Sequence, residues 1–270
     1  MVGSSSKIRD IDSLAAQVSV PAIHIIKQNA PSRSHFGGSP RLPEDTPWPK
    51  KNGRRLGFVG RLSLKEIHTA HPVPWLPKDG ALLFFYDLEE QPWGFDPKDR
   101  DGFAVLHVPD IAEPFSRDNR ATDDIPLMCS HQNICFKRID ILPSELGSNI
   151  EALKITDKEQ ELLLDRIEGR YGEKPKHQVA GVPYVVQNEM ELKCQLVSNG
   201  VYCGDPSGYK GPRAESLKAG AANWRLLLQV DTDDDLGVMW GDMGIIYFWV
   251  EEQKAKTGDF SNVWTILQCF

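Results

Sequence analysis

The chain has 270 residues, enough for one large domain or two small ones whose core needs no covalent staples. With 31 Lys and Arg against 38 Asp and Glu its formal net charge is -7, a field that repels polyanions. Nucleic acid and anionic membranes are therefore not expected partners. No apolar run approaches the roughly 18 residues of a spanning helix, and MVGSSSKIRD lacks the apolar stretch of a signal peptide, so the expected location is cytoplasmic. Five dispersed cysteines, Cys129, Cys135, Cys194, Cys203 and Cys269, read as reduced thiols in a chain of this size.

In chain order, Ile8, Ile11, Ala15 and Val18 share one helical face until Pro21 stops the pattern. A brief extended run, Ala22 to Lys27, follows. FGGSPRLPEDTPWP (Phe36 to Pro49) holds too much Gly and Pro for regular structure and predicts an ordered loop pinned by Trp48. LGFVGRL (Leu56 to Leu62) is a candidate strand. Ser63 and Glu66 have capping-box spacing for a short helix ending before His71-Pro72. ALLFFYDL (Ala81 to Leu88) is an unbroken apolar run suited to a strand covered on both faces, and Phe103 to Val108 is another strand.

Asp110 to Asp124 is polar and reads as loop, and Cys129 to Leu142 as one extended segment. Thr156 and Glu159 form a second capping-box pair, after which Leu163, Ile167 and Tyr171 recur at helical spacing until Gly172. HQVAGVP (His177 to Pro183) is a turn-rich entry to the second half. There WRLLLQVDTDDDLGVMWGDMGIIYFWV (Trp224 to Val250) reads as strand, acidic turn, Trp-Gly-Asp corner and strand, with Trp264 to Cys269 closing.

The two halves repeat one order: Gly/Pro loop, strand, Trp, Gly turn, apolar strand, closing strand. This predicts an internal duplication, with modules near residues 22–142 and 177–270 joined by a helical segment at 143–176. The expected fold is α+β and antiparallel-sheet-rich, one domain over 1–270 made of two related β-modules with a few peripheral helices.

FGGSPRLPEDTPWP, the Gly80-Ala81-Leu82 region, HQVAGVP followed by Gln187, and LLLQVDTD…MWGDMGIIYFWV together resemble the YwqG-like bacterial proteins. The resemblance covers most of the chain. It implies a sheet-rich α+β domain of unknown function and brings no catalytic residues with it. Such proteins often carry Gln in the first strand where this chain has Gly60, whereas the later position keeps Gln229.

Asp231, Asp233, Asp234 and Asp235 alternate as calcium ligands can, but the terminal Glu is missing and the flanks are strand-like, so a solvated turn is the simpler reading. Cys129, His131 and Cys135 have ligand chemistry for zinc yet lack a C-x-x-C knuckle, so ordinary packing is preferred. No phosphate-binding Gly pattern or Gly-x-Ser-x-Gly is present. No metal or cofactor is expected.

Trp240-Gly241-Asp242 reads foremost as a structural corner and otherwise as one wall of a pocket; with Asp231 and the polar residues set among apolar neighbours, His177, Gln187 and Gln229, Trp240 and Asp242 are the candidate binding residues. They are expected at the cleft between the modules. The leading expectation is non-catalytic binding of a protein or small ligand. The alternatives are a hydrolase using His177 with a carboxylate such as Asp242, and an immunity-like protein that neutralises a partner.

Overall fold

The computed structural model describes residues 8–40, 42–43, 46–110, 127–142, 153–168 and 175–270. Twelve strands are named in chain order. They are β1 (Val20–Lys27), β2 (His35–Phe36), β3 (Lys50–Lys51), β4 (Arg54–Arg55), β5 (Gly57–Ser63), β6 (Ala81–Tyr86), β7 (Phe103–Val108), β8 (Gln132–Ile141), β9 (Gln178–Val179), β10 (Trp224–Asp231), β11 (Ile245–Glu251) and β12 (Trp264–Gln268).

Ten of them form one sheet in the order β12-β11-β10-β9-β1-β8-β2-β5-β6-β7, while β3 and β4 pair separately. Pairings between named strands are antiparallel. The centre is the β1–β8 pair, held over eight residue pairs from Val20 opposite Ile141 to Lys27 opposite Ile134. Two arms leave this centre, β2-β5-β6-β7 on one side and β9-β10-β11-β12 on the other.

The apolar runs of β6 and β11 are buried along their length because the arms curl and face each other. Phe84 meets Phe248 edge-on at 5.2 Å, Tyr86 meets Trp240 at 5.7 Å, and Phe103 of β7 meets Trp264 of β12 at 5.1 Å. The result is a nearly closed, barrel-like sheet. Residues 91–102 bridge the gap: Trp93 O accepts from Leu267 N, and Gly94 O accepts from Trp264 Nε1 at 2.8 Å. Gly94 has φ +77°, and a Cβ there would lie 2.0 Å from Thr265 O, so only glycine lets this segment cover the β12 edge.

Outer faces are covered locally. Trp48 donates to Leu56 O at 2.9 Å and meets Phe85 edge-on, so this ring pins the described part of the expected loop. Helix α1 (Ile11–Val18) lies with α3 (Asp157–Glu168) over a small separate core of Leu14, Val18, Leu142, Ile155 and Leu163. Thr156 and Glu159 do form their capping box, Thr156 N reaching Glu159 Oε2 at 3.0 Å.

The other box does not form. Ser63 precedes α2 (Leu64–Ala70), but its hydroxyl turns to Asp110, and Glu66 accepts from Ser32, Ser34 and the Arg33 N–H instead. Tertiary partners outcompete the local cap there. Helices α4 (Glu191–Ser198) and α5 (Pro212–Leu217) carry no strong periodic signal, whereas α6 (Glu252–Lys256) directly follows β11. The expected loop beyond Asp110, the end of α3 at Tyr171 and Gly172, and most of the segment joining the modules lie outside the described residues.

Register corrects one correspondence. Gly60 stands opposite Phe36 and Arg61 opposite His35, while Leu228 stands opposite Val179 and Gln229 opposite Gln178. Arg61, not Gly60, thus occupies the place that Gln229 holds in its arm. Each hairpin carries a one-residue irregularity, between Phe58 and Gly60 and between Leu226 and Leu228, which shifts any count made along the chain. Gly60 itself is required by close approach, since a Cβ would sit 2.8 Å from His35 O.

Candidate functional site

Lys27 ends β1, His177 precedes β9, and β10 runs into the acidic turn, so the sheet order brings three distant segments to one corner. Ile25 N donates to His177 O at 2.9 Å, which fixes the histidine backbone against β1. The buried imidazole lies edge-on to Phe36 of the other arm at 5.0 Å. Its Nδ1 accepts from Asp231 N at 3.0 Å, so the ring proton sits on Nε2 and is donated to Asp233 Oδ2 at 3.1 Å. Both ring nitrogens are thereby committed to the fold.

Asp233 is the hub of the corner. Its carboxylate is buried and accepts from Lys27 Nζ at 2.7 Å through each oxygen, from His177, and from Asp235 N at 3.0 Å. Burial by itself would raise its pKa, but hydrogen bonds from His177 and Lys27 prevail and hold it down to about 2. Burial likewise works against the charged Lys27, and the carboxylates of Asp233 and Asp235 outweigh it, raising the ammonium pKa. The turn closes with Asp233 and Val238 exchanging backbone bonds and Gly237 at φ +66°.

The other expected residues have distinct places. Gln229 accepts from Tyr184 N at 2.9 Å and donates to Lys176 O at 2.6 Å. Asp231 accepts from Lys176 N at 2.7 Å. Gln187 donates to Cys269 O, and its N–H reaches Gln268 Oε1, at the far edge of the arm. Trp240 is core: its ring packs against Tyr86, and its Nε1 has no hydrogen-bond partner among the described residues. The Asp242 carbonyl accepts from Phe270 N. Among the described residues no hydrogen bond or ion pair joins Asp242 to His177, whose carboxylate partner is Asp233.

His177, Gln229 and Asp231 therefore come together, Gln187 and Trp240 support the fold, and Asp242 stands apart. Sequence reasoning missed Lys27, Lys176 and Tyr184, which no motif marks. Beside the corner opens a pocket of about 400 Å³, lined by Lys176, Tyr184, Asp231, Asp234, Asp235 and Met243 among others. The Lys176 ammonium lies 4.4 Å from the Tyr184 ring centroid.

The opposite arm places comparable bonds at matching positions. Ser63 N donates to Ser34 Oγ at 2.9 Å as Asp231 N does to His177, and Arg61 donates to Arg33 O as Gln229 does to Lys176 O. Asp110 receives Arg61, Arg33 and Ser63. Its burial opposes ionisation, but these partners hold its pKa below the ordinary carboxylate range.

Among the described residues no group of three or more His, Cys, Asp or Glu is gathered to hold a metal ion. The Lys27 ammonium stands between the carboxylates that a calcium reading would use. Burial pushes the Cys129 thiol up to about 11, which keeps it protonated, and His131 stacks on His35 at 4.4 Å. No helix among the described residues is long and apolar enough to cross a membrane.

Residues 34–269 match the model of a family described as a domain of unknown function, DUF1963. The chain belongs to this family. No curated protein matches it. The DUF1963 match begins after β1, yet β1 is a central strand and supplies Lys27 to the corner.

Gln229→Ala is expected to cost about 2 kcal/mol of stability, because Tyr184 N and Lys176 O lose their partner together. Urea denaturation checks this. A loss well under about 0.5 kcal/mol would mean that other groups or water already satisfy those amides.

Proposed function

We propose that this DUF1963 protein is a non-catalytic binding protein whose ligand site is the pocket where β1, β9 and β10 meet. The observation that carries the reading is the commitment of His177. Its two nitrogens are taken by Asp231 N and Asp233, leaving neither to act as a base. What the corner supplies instead is a rigid wall. The Lys27–Asp233–His177 bonds hold the acidic turn, and Asp231, Asp234, Tyr184 and Met243 face an open pocket of about 400 Å³. Polar groups beside apolar ones in a preformed hollow suit recognition of a small molecule or a protein side chain.

The two arms are read as copies of one ancestral unit, of the YwqG-like kind. Support comes from the mirrored strand order about β1–β8, the one-residue irregularity in each hairpin, and the paired left-handed residues Gly37-Gly38 and Ala180-Gly181 that follow β2 and β9. The copies diverged where the pocket lies, Ser34 and Ser63 standing where the later arm has His177 and Asp231.

A ¹H–¹⁵N spectrum of the protein, recorded against a panel of small cationic, anionic and neutral metabolites, tests the reading. Shifts are expected to cluster on Lys176, Tyr184, Met243 and residues 231–235. Shifts confined to the other arm, around Arg33 and His107, would remove the site assignment.

A further inference from the structure

The Trp-Gly-Asp corner exposes what a soluble fold usually hides. Met239 and Met243 flank the corner and are 54% and 61% exposed, while Trp240 between them is buried. Met243 also holds a left-handed backbone, φ +50°. An unbranched apolar residue there carries a conformational cost that glycine would not. Met243 lines the pocket together with Tyr184, Ile245 and Phe270, so the apolar surface runs into the pocket.

Charge sets what can cover this surface. Asp231, Asp234 and Asp235 line the same pocket, and Asp242 lies on the corner itself. Asp234 is exposed, and among the described residues its carboxylate has no hydrogen bond or ion pair. Lys27 is already neutralised between Asp233 and Asp235, and Lys176 leans over Tyr184. Among the described residues Asp234 and Asp242 are thus left with no cation paired to them, in keeping with the net charge of -7.

Resting on the binding reading above, we infer that the occupant is a basic, amphipathic segment of a partner protein. Its apolar side chains would pack on Met239 and Met243, and its Lys or Arg groups would meet Asp234 and Asp231. Methionine suits such a surface because its flexible, polarisable thioether adapts to varied apolar partners. A second copy of this chain is disfavoured, since it would bring another acidic rim against this one.

The test uses the full chain and a Leu/Lys peptide of about 14 residues with helical amphipathic spacing, alongside its Leu/Glu counterpart, followed by calorimetry. The Leu/Lys peptide is expected to bind with micromolar Kd, about tenfold more weakly in about 0.5 M salt, and the Leu/Glu peptide not to bind. M243G should weaken binding about tenfold while leaving the melting temperature unchanged or raised, because glycine suits the left-handed site. D234N should weaken binding several-fold with no effect on folding.

Equal binding of both peptides, or full binding by M243G, would overturn the inference. So would self-association of the wild type that M243G abolishes, since the partner would then be a second copy. Small-molecule shifts at the pocket without peptide binding would sink the inference and leave the binding reading standing. Loss of both would end the two together.

Discussion

Asp233→Ala is expected to lower the unfolding free energy by roughly 3–5 kcal/mol, the cost of leaving buried partners of a charge network uncompensated. The substitution strands the His177 Nε2 proton, halves the carboxylate cover of Lys27 and frees Asp235 N from its turn bond. In a chain of this length the loss corresponds to a drop in melting temperature on the order of 10 °C. D233N keeps an acceptor for one of the two partners and is expected to lose less. Because partners hold Asp233 down to about 2, its contribution is complete above the ordinary carboxylate range and is lost progressively as pH falls from there through about 2. Thermal unfolding at neutral pH checks the size. A change under about 1 kcal/mol for D233A would mean that the corner is no rigid wall, and the binding reading would lose its physical basis.

His35 is expected to make the fold acid-sensitive in a different window. Its ring is fully buried in β2, donates through Nδ1 to Gly37 O at 2.9 Å and stacks on His131. Burial, then the neighbouring His131 and Arg61 charges, lowers its pKa from 6.5 to about 4. Between those values the unfolded chain binds the proton and the native state does not, so stability falls as pH falls. The contribution is intact above about 6.5, and about 3 kcal/mol is lost by pH 4. The matching position of the other arm is Gln178, whose side chain makes the same bond to Ala180 O without titrating. H35Q should therefore keep the turn and remove that part of the slope. Urea denaturation at pH 7, 5.5 and 4 measures it, and parallel curves for wild type and H35Q would refute the assignment.

The two histidines illustrate what could be read from the chain alone. His177 is legible as a polar group inside an apolar stretch, but for the hydrolase alternative the sequence offers only a carboxylate such as Asp242, from the conspicuous Trp-Gly-Asp corner. The partner is Asp233, because the turn that Asp233 and Val238 close brings that carboxylate within 3.1 Å of His177 Nε2. His35 gave no signal, lying next to a Gly-rich loop whose tight turn conceals a burial site. Gln229 was legible as buried and hydrogen-bonded, since an amide within LLLQV must find partners, yet which amides it satisfies depended on where residues 176–184 cross the sheet.

Local pattern determined the apolar strands, the Trp48 loop, the Thr156–Glu159 cap and the repeated order of elements, because each follows from period, turn chemistry or capping within about ten residues. Tertiary structure alone decided the rest. Which strands neighbour one another placed Lys27 against Asp233 across 206 positions of chain. The irregularity in each hairpin set Arg61, rather than Gly60, in the place of Gln229. Competition for partners drew Ser63 and Glu66 away from their expected cap. Long-range hydrogen bonds and ion pairs leave no periodicity behind, so the corner with its pocket became visible only once β1, β9 and β10 were set side by side.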